Sequence, residues 1–384
     1  MRQNLVRQQL ESRMLQVDYS AQADKYEYVS GQHGGYYRHN FVDHAYLYNL
    51  YFPPEAIITT LKERIHDLVQ SYPVAQVSIA ELVGRVIDQP AERIVVGNGA
   101  AELIKIVSGH IADKLIVPVP SFNEYANAAP AGQVVEFPLE FPSFQLDGDK
   151  FAAEAIRVGA DVAVVVTPNN PTSMLIPKAE LIRLARKLDS SGIVLVIDES
   201  FVDFAENPDL ASLEQEVAAY PNVTIIKSMS KAYGICGLRI GYVVTTHTRF
   251  AEALRNGLHI WNINGFAEEF LRILPHYKQE FTDSCVHVRT DRDGLYEALC
   301  GIEGMTVFKP DANFVFCRLP NDAQSGPEIT KRMFIEHNLY IKDCVGKTQP
   351  DSDRYVRIAS RTEPENCRLV EALIDVMGRR DGEA

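Results

Sequence analysis

Between about residues 75 and 245, short apolar runs alternate along the chain with amphipathic stretches of helical period. Seven runs are predicted to be strands: 93–96, 114–119, 134–137, 163–167, 193–197, 223–226 and 240–244. The runs at 163–167 and 193–197 are apolar almost throughout, which is typical of central strands that are covered on both faces. Strands that alternate with helices form a mainly parallel sheet with helices on both sides. The pattern therefore predicts an α/β fold on a doubly wound, mainly parallel, seven-stranded sheet.

After residue 249 the pattern changes and predicts a smaller α+β domain. Its predicted elements are amphipathic helices over 249–300, a strand-turn-strand unit over 305–319, a helix over 326–337, strands at 339–342 and 354–361, and a final helix over 364–378. Residues 1–30 predict a short helix followed by a loose segment. We therefore divide the chain into a large domain, 54–270, and a small domain with an N-terminal arm, 1–53 plus 271–384.

Composition limits the classes of protein to which this chain can belong. Its 384 residues, 46% hydrophobic and 23% charged, are sufficient for two domains with their own cores. A net charge of −13 without a Lys/Arg cluster argues against nucleic acid as the main partner. No apolar run has membrane-spanning length and the N-terminus lacks a secretory apolar core, so we expect a soluble, cytoplasmic protein with no membrane partner. The six cysteines are scattered without a Cys-x-x-Cys pair, so we expect reduced thiols and no metal site.

One lysine stands out among the polar residues that follow the predicted strands. Lys231 lies on the glycine-bearing segment 227–241, where its amine can bond to a carbonyl carbon if its surroundings keep it partly neutral. Ser228, Ser230 and Arg239 are side chains of the types that bind phosphate. Together they suggest pyridoxal phosphate (PLP), although a surface lysine on an ordinary loop would give the same short motif.

Other strand ends supply the remaining groups that PLP needs. Asp198 ends an apolar run, where a carboxylate is costly unless it has a partner, and it can hold the pyridine nitrogen. Asn170, between two prolines, can donate to the phenolic oxygen, and Phe122 can stack on the ring. A glycine-bearing turn that feeds a helix can bind the phosphate through the N–H groups of Gly99, Ala100 and Ala101. Because all these ends meet at one edge of a parallel sheet, chance agreement is improbable.

At this point the sequence resembles fold type I PLP enzymes, the aspartate aminotransferase superfamily of class I/II. The resemblance covers nearly the whole chain and is carried by Gly97-Asn-Gly-Ala-Ala-Glu-Leu-Ile104, Thr167-Pro-Asn-Asn-Pro-Thr172, Asp198-Glu-Ser-Phe201, Ser228-Met-Ser-Lys-Ala-Tyr-Gly234, Gly237-Leu-Arg-Ile-Gly241 and Arg357-Ile-Ala-Ser. It implies the PLP-transferase type I fold, catalytic roles for Lys231 and Asp198, and an amino acid substrate whose α-carboxylate binds Arg357. It also implies a homodimer in which Tyr51 reaches the cofactor phosphate of the other subunit.

Two branches of this superfamily resemble the chain, histidinol-phosphate aminotransferase and threonine-phosphate decarboxylase. His33-Gly-Gly is similar to the substrate-contacting His-Gly-Gly of the decarboxylase branch, and Phe201 stands where aminotransferases have tyrosine. The spacing from Leu339 to Arg357 also matches the decarboxylase, although Lys342 replaces the arginine that binds the substrate phosphate there. Lysine still binds phosphate, but without the two-pronged geometry of arginine.

These features favour decarboxylation of a phosphorylated or phosphonate-bearing amino acid, with His33, Lys342 and Arg357 binding the substrate. The alternative within the superfamily is a histidinol-phosphate type of aminotransferase that uses a keto-acid acceptor. A third hypothesis, a non-catalytic effector-binding protein of the same fold, is disfavoured because the first 30 residues are too few and too weakly basic for a DNA-binding segment.

Overall fold

The computed structural model describes residues 22–378. Its strands are β1 (Val42–Asp43), β2 (Ile94–Asn98), β3 (Leu115–Val119), β4 (Val134–Pro138), β5 (Val162–Val166), β6 (Val194–Asp198), β7 (Val223–Ser228), β8 (Ile240–Thr245), β9 (Thr306–Phe308), β10 (Phe314–Arg318), β11 (Leu339–Tyr340), β12 (Lys342–Asp343) and β13 (Tyr355–Ala359). Its α-helices are α1 (Gln22–Ser30), α2 (Glu55–Glu63), α3 (Ile65–Gln70), α4 (Gln76–Ile87), α5 (Ala100–Ile106), α6 (Glu124–Ala128), α7 (Gly148–Val158), α8 (Lys178–Asp189), α9 (Pro208–Ala211), α10 (Met229–Ala232), α11 (Thr248–Gly257), α12 (Gly265–Ile273), α13 (Lys278–Cys300), α14 (Gly326–His337) and α15 (Glu363–Gly378).

The larger sheet has seven strands in the order β2-β8-β7-β6-β5-β3-β4. Only β8 runs antiparallel to its neighbours β2 and β7, and the other pairs are parallel. The predicted α/β fold with a mainly parallel, seven-stranded sheet is therefore confirmed. In the register, Asp198 lies opposite Val166 on one side and Ile226 on the other. The carboxyl ends of β5, β6 and β7 thus lie side by side.

Both faces of this sheet are buried. Alternate residues of each strand point to opposite faces, so that Ile197 belongs to one apolar cluster and Val196 to the other. The first cluster includes side chains of α2, α4, α7, α8 and α12, and the second includes side chains of α5 and α11. This two-sided cover explains why β5 and β6 are almost entirely apolar up to Val166 and Asp198.

The smaller sheet has four antiparallel strands in the order β12-β13-β10-β9, as the strand-turn-strand prediction requires. Helices α13, α14 and α15 pack beside it around an apolar core that includes Leu295, Met333 and Leu373. The predicted 339–342 strand is broken at Ile341 into β11 and β12. These two strands join different sheets, since β11 pairs in parallel with β1. The N-terminal segment is thereby attached to β11, the strand that directly precedes β12 of the smaller sheet.

The predicted loose segment before residue 31 is wrong for residues 22–30, which form helix α1. The helix is held by tertiary contacts, because Tyr26 and Val29 are buried and the Tyr26 ring lies 5.6 Å from that of Phe334. The short helix predicted further upstream falls before the described residues. Within residues 22–378, none of the helices combines the length and apolar character needed to cross a bilayer.

Candidate active site

A cavity of about 240 Å³ lies at the carboxyl ends of the central strands, between the larger sheet and residues of the smaller one. Ten of the residues predicted from the sequence line it: Ala100, Ala101, Phe122, Asn170, Asp198, Ser228, Ser230, Lys231, Arg239 and Arg357. This is the position where open α/β sheets bind ligands. Residues 45–47, which precede α2, also line the cavity, so the N-terminal segment contributes one of its walls.

Lys231 lies on the single turn α10, directly after β7. Burial lowers the pKa of its amine; Cys236 and Asp198 oppose this effect, and the cations Arg357 and Arg239 add to it. A lysine with a lowered pKa is neutral for a larger fraction of the time at neutral pH. That is the state in which an amine can attack a carbonyl carbon or accept a proton.

Asp198 is the last residue of β6 and is 3% exposed. Burial raises the pKa of its carboxyl, although the backbone N–H of Ser200 donates to Oδ1 and the Tyr125 hydroxyl donates to Oδ2, both at 3.0 Å. A buried carboxylate of this kind is stabilised by a cation, such as a protonated pyridine ring. Sequence analysis missed Tyr125, which is fully buried on α6 and gives no local signal of its contact with Asp198.

The turn before α5 forms a close-fitting cradle beside Arg239. Gly99 has φ +74°, and a Cβ built there would overlap Nη2 of Arg239 and lie 2.9 Å from its Cζ. Gly241 on β8 is equally constrained, since a Cβ there would lie 2.7 Å from the carbonyl carbon of Gly99. The Arg239 guanidinium donates to the carbonyl oxygen of Cys236 at 3.2 Å and to Oγ of Ser230 at 3.5 Å.

The cradle therefore brings together the donors expected for a phosphate. Ala100 and Ala101 are the first residues of α5, so their N–H groups have no partner within the helix. Among residues 22–378, Arg239 has no carboxylate within ion-pair distance, which leaves its charge available for an anion.

Arg357, on β13, crosses from the smaller sheet to the cavity. Its Nη1 donates to Oδ1 of Asn170 at 2.8 Å and its Nη2 donates to the carbonyl oxygen of Ala45 at 2.7 Å. Its Nε is buried without a hydrogen-bond partner, and burial lowers the pKa of the guanidinium. The bond to Oδ1 also fixes the Asn170 amide so that Nδ2 is its free donor side. Arg357 is thus a cation with an unused donor in the cavity, which suits a carboxylate ligand.

The two aromatic residues in the wall have different surroundings. Phe122 is half-buried and packs against the apolar cluster on the α5 side of the sheet. Phe201 is 4% exposed and packs edge-on against Phe314, with ring centroids 5.3 Å apart. Because phenylalanine has no hydroxyl, Phe201 cannot donate a hydrogen bond in this wall, and the role of Asn170 as the donor to the phenolic oxygen remains a prediction.

Besides Gly99 of the cradle, three predicted site residues do not line the cavity in this single chain. Tyr51 is on the surface, where its hydroxyl donates to Asp291 and its ring lies 5.3 Å from that of His287. His33 is exposed on a turn that contains Gly34 and Gly35. Lys342 is half-buried on β12, directly opposite Arg357 on β13. The roles predicted for these three residues remain predictions.

An ionic cluster behind the Lys231 segment was also missed by sequence analysis. Lys227 lies 3.2 Å from Asp203 and 4.0 Å from Glu214, and all three side chains are largely buried. Burial alone would lower the pKa of Lys227, but the surrounding carboxylates raise it. Glu199 lies in the same cluster, and burial raises its pKa to about 7. The contacts join β7 to the connection that follows β6, so the cluster supports the strand ends that carry Asp198 and Lys231.

The residues present fit PLP. The cavity wall holds the cations Lys231, Arg239 and Arg357 but only one carboxylate, Asp198, so it is complementary to an anionic cofactor and substrate. Lys231 would hold the aldehyde carbon and Asp198 the pyridine nitrogen. The cradle at Gly99 has donors for the phosphate.

The family model for aminotransferase class I and II matches residues 49–373. The chain belongs to this family. It is therefore a PLP-dependent enzyme of fold type I, in the branch that includes histidinol-phosphate aminotransferases and phosphorylated amino acid decarboxylases. The resemblance inferred from the motifs is confirmed.

Two relatives within the family are similar to this chain over most of its length. It is 41% identical over 374 residues to a protein of Streptomyces rubellomurinus named CMP-5'-(3-aminopropyl)phosphonate synthase, covering 97% of this chain and 59% of that protein. It is 30% identical to the L-serine phosphate decarboxylase of Sulfurospirillum multivorans, covering 85% of this chain and 84% of that protein. The chain thus spans less than two thirds of the Streptomyces relative.

Solved structures of both branches share the fold. The histidinol-phosphate aminotransferase of Clostridium acetobutylicum has a TM-score of 0.79 at 28% identity, over 88% of this chain and 99% of that one. A decarboxylase from Sulfurospirillum multivorans has a TM-score of 0.78 at 28% identity, over 88% and 95%. The fold therefore does not separate the two reactions.

Proposed function

We propose that this enzyme decarboxylates an amino acid that carries a phosphate or phosphonate group. The observation that carries the proposal is the pairing of Lys342 with Arg357, directly opposite each other on antiparallel strands. Directly opposite residues point to the same face, with Cβ atoms roughly 5 Å apart. Among residues 22–378 neither has an acidic partner within ion-pair distance, so a substrate with two anionic groups would complement them.

The names of the relatives support this substrate class. One is a serine phosphate decarboxylase, and the other is named for a product in which CMP is joined to 3-aminopropylphosphonate. An amine three carbons from phosphorus is what remains when 2-amino-4-phosphonobutanoate loses its carboxyl group as carbon dioxide. Both names therefore agree with an amino acid that has a tetrahedral anion beyond its β-carbon.

The residues of the cavity would have separate roles in this reaction. Arg357 would hold the α-carboxylate and orient the bond between it and Cα, while Asn170 and Asp198 fix the plane of the cofactor. When bound, PLP supplies an electron sink for the electron pair left on Cα. Lys231, whose pKa is lowered by burial, would then deliver a proton to Cα. Phe201 and Phe122 would exclude water beside this carbon.

An aminotransferase of the histidinol-phosphate type is the second candidate. The similarity to the Clostridium acetobutylicum structure supports it, and the same lysine, aspartate and arginine would serve both reactions. In that reaction Lys231 would remove the proton from Cα, and a keto acid would be needed to regenerate the enzyme.

Product analysis separates the two reactions. Purified, PLP-loaded enzyme is incubated with O-phospho-L-threonine, O-phospho-L-serine or 2-amino-4-phosphonobutanoate, with and without 2-oxoglutarate. We expect carbon dioxide and the primary amine without the acceptor, and neither product from Lys231→Ala. Keto-acid formation that depends on the acceptor would instead establish the aminotransferase, and turnover of none of the three by either route would overturn the proposed substrate class.

We also infer that the enzyme is a cytoplasmic homodimer. Each subunit would consist of a large domain, 54–270, and a small domain with an N-terminal arm, 1–53 plus 271–384. It would act on a small molecule, without a nucleic acid or membrane partner. Tyr72 and Trp261 support the dimer, because they stack with ring centroids 4.3 Å apart yet are 77% and 50% exposed in the single chain. Analytical ultracentrifugation of wild type and Trp261→Ser tests this point. A monomeric wild type at micromolar concentration would exclude the dimer and the role of Tyr51 across it.

A further inference from the structure

Lys347 connects the smaller sheet to the loop that carries Phe122. It follows β12, and its ammonium donates to the carbonyl oxygen of Ser121 at 2.6 Å and to Oδ1 of Asn123 at 2.8 Å. The Asn123 amide donates in return to the carbonyl oxygen of Gly346 at 3.1 Å. Lys347 therefore bonds to the residues on both sides of Phe122, which lines the cavity.

The charges around Lys347 are mainly positive, and its ammonium group has no ion pair within the described residues. Burial lowers its pKa to about 8; the cations Arg357 and Lys342 act in the same direction, while Cys344 and Glu124 oppose them. Among the described residues, no carboxylate lies within 4 Å of its ammonium group. Three cations therefore lie near one another without an ion pair, and a bound anion would relieve their repulsion.

Lys347 also has a donor to spare. An ammonium group has three N–H donors, and two are used on Ser121 and Asn123. The third can bond to a ligand without loss of the contact that holds the Phe122 loop. A lysine pair suits a tetrahedral phosphate or phosphonate, because point charges can meet its oxygens from several directions, whereas a carboxylate is better matched by the planar fork of an arginine.

We propose that Lys347, together with Lys342, binds the phosphate or phosphonate group of the substrate, while Arg357 binds the α-carboxylate. This rests on the proposed function only in assuming that the substrate carries such a group. Lys347 then determines which substrates bind, because it contacts the second anionic group of the substrate and not the reacting carbon. Its contacts with Ser121 and Asn123 would place that anion beside the loop that carries Phe122, next to the residues that line the cavity.

A binding assay tests this without turnover. The probe is 3-aminopropylphosphonate, which has no carboxyl group to lose, and its counterpart without an anionic group is n-butylamine. Dissociation constants for both are measured by calorimetry on PLP-loaded wild type, Lys347→Met and Lys347→Arg. The matched control is Lys309→Met, because Lys309 is an exposed lysine of the same part of the chain.

We expect Lys347→Met to reduce the preference for the phosphonate over the butylamine by about 10- to 100-fold, the loss of one charge-assisted hydrogen bond. Lys347→Arg should recover much of this preference, and Lys309→Met should leave it unchanged. A loosened Phe122 loop alone would weaken both amines equally and leave their ratio intact, so an unchanged ratio in Lys347→Met overturns the inference.

The assay also separates this inference from the proposed reaction. If wild type releases carbon dioxide from 2-amino-4-phosphonobutanoate but Lys347→Met keeps the wild-type affinity ratio, the reaction stands and the role of Lys347 fails. If no carbon dioxide is released but the ratio collapses in Lys347→Met, the anion site stands and the reaction fails.

Discussion

The cradle at Gly99 provides a sharp test of how this chain holds the cofactor. In Gly99→Ala, the new methyl group would overlap Nη2 of Arg239 and lie 2.9 Å from Cζ, so the guanidinium must move. A guanidinium that leaves its place loses charge-assisted hydrogen bonds to the phosphate, each of which contributes roughly 1.5–3 kcal/mol. We therefore expect the dissociation constant for PLP, measured by absorbance titration of the apoenzyme, to rise about 10- to 100-fold.

The backbone strain of this substitution must be separated from its clash with Arg239. Gly99 has φ +74°, and an alanine there also costs about 1–2 kcal/mol of folding free energy. Gly132 is a matched control, because its φ is +85° but nothing lies within 4 Å of a Cβ built there. Gly132→Ala should lower thermal stability by a similar amount and leave the affinity for PLP at its wild-type value. Wild-type affinity for PLP in both variants, or an equal loss of that affinity in both, would refute the steric reasoning.

Three further substitutions or titrations test other parts of the site. Asp198→Asn removes the buried charge at the end of β6, so kcat should fall on the order of 100-fold or more while the protein stays folded; unchanged turnover would exclude its role. Lys227→Met leaves Asp203 buried without its cation and should cost about 3–5 kcal/mol in urea unfolding, whereas Lys309→Met should be near neutral. Because Lys347 has a lowered pKa of about 8, the preference for 3-aminopropylphosphonate over butylamine should be full below pH 8 and decline above it. In Lys347→Arg this decline should be reduced, since a guanidinium stays charged; an identical decline would assign the titration to another group.

The sequence predicts the larger sheet well, because its strands are buried on both faces. Continuous apolar runs such as those of β5 and β6 have few alternative structures when turns and amphipathic helices flank them. Helix α1 was missed for the opposite reason. Its sequence is polar, and it is fixed by contacts of Tyr26 with Phe334 and Tyr340, which lie more than 300 positions away along the chain and which no local pattern records.

The site residues likewise comprise some that a local sequence pattern predicts and some that only tertiary contacts reveal. Asp198 ends β6, Asn170 and Lys231 follow β5 and β7, and Arg239 directly precedes β8. Each is thus a polar residue next to an apolar run, which is itself a signal. Tyr125 gives no such signal, because its importance depends on a hydroxyl that reaches Asp198 across the sheet.

The same difference between local patterns and tertiary contacts determines how far the motifs can predict the substrate. Residues that hold PLP meet a fixed ligand at one edge of the sheet, so their positions recur as short motifs around Lys231 and Asp198. A substrate's second anion is met by Lys342 and Lys347, which come from a short edge strand and from the irregular loop after it. Loops vary more readily than the strands they connect. A change in the Lys347 loop could therefore alter the substrate while the cavity, the cofactor and the fold stay the same. This explains why decarboxylases and aminotransferases match this chain with nearly equal TM-scores, and why the affinity ratio in Lys347 variants is more informative about the substrate than any further comparison of folds.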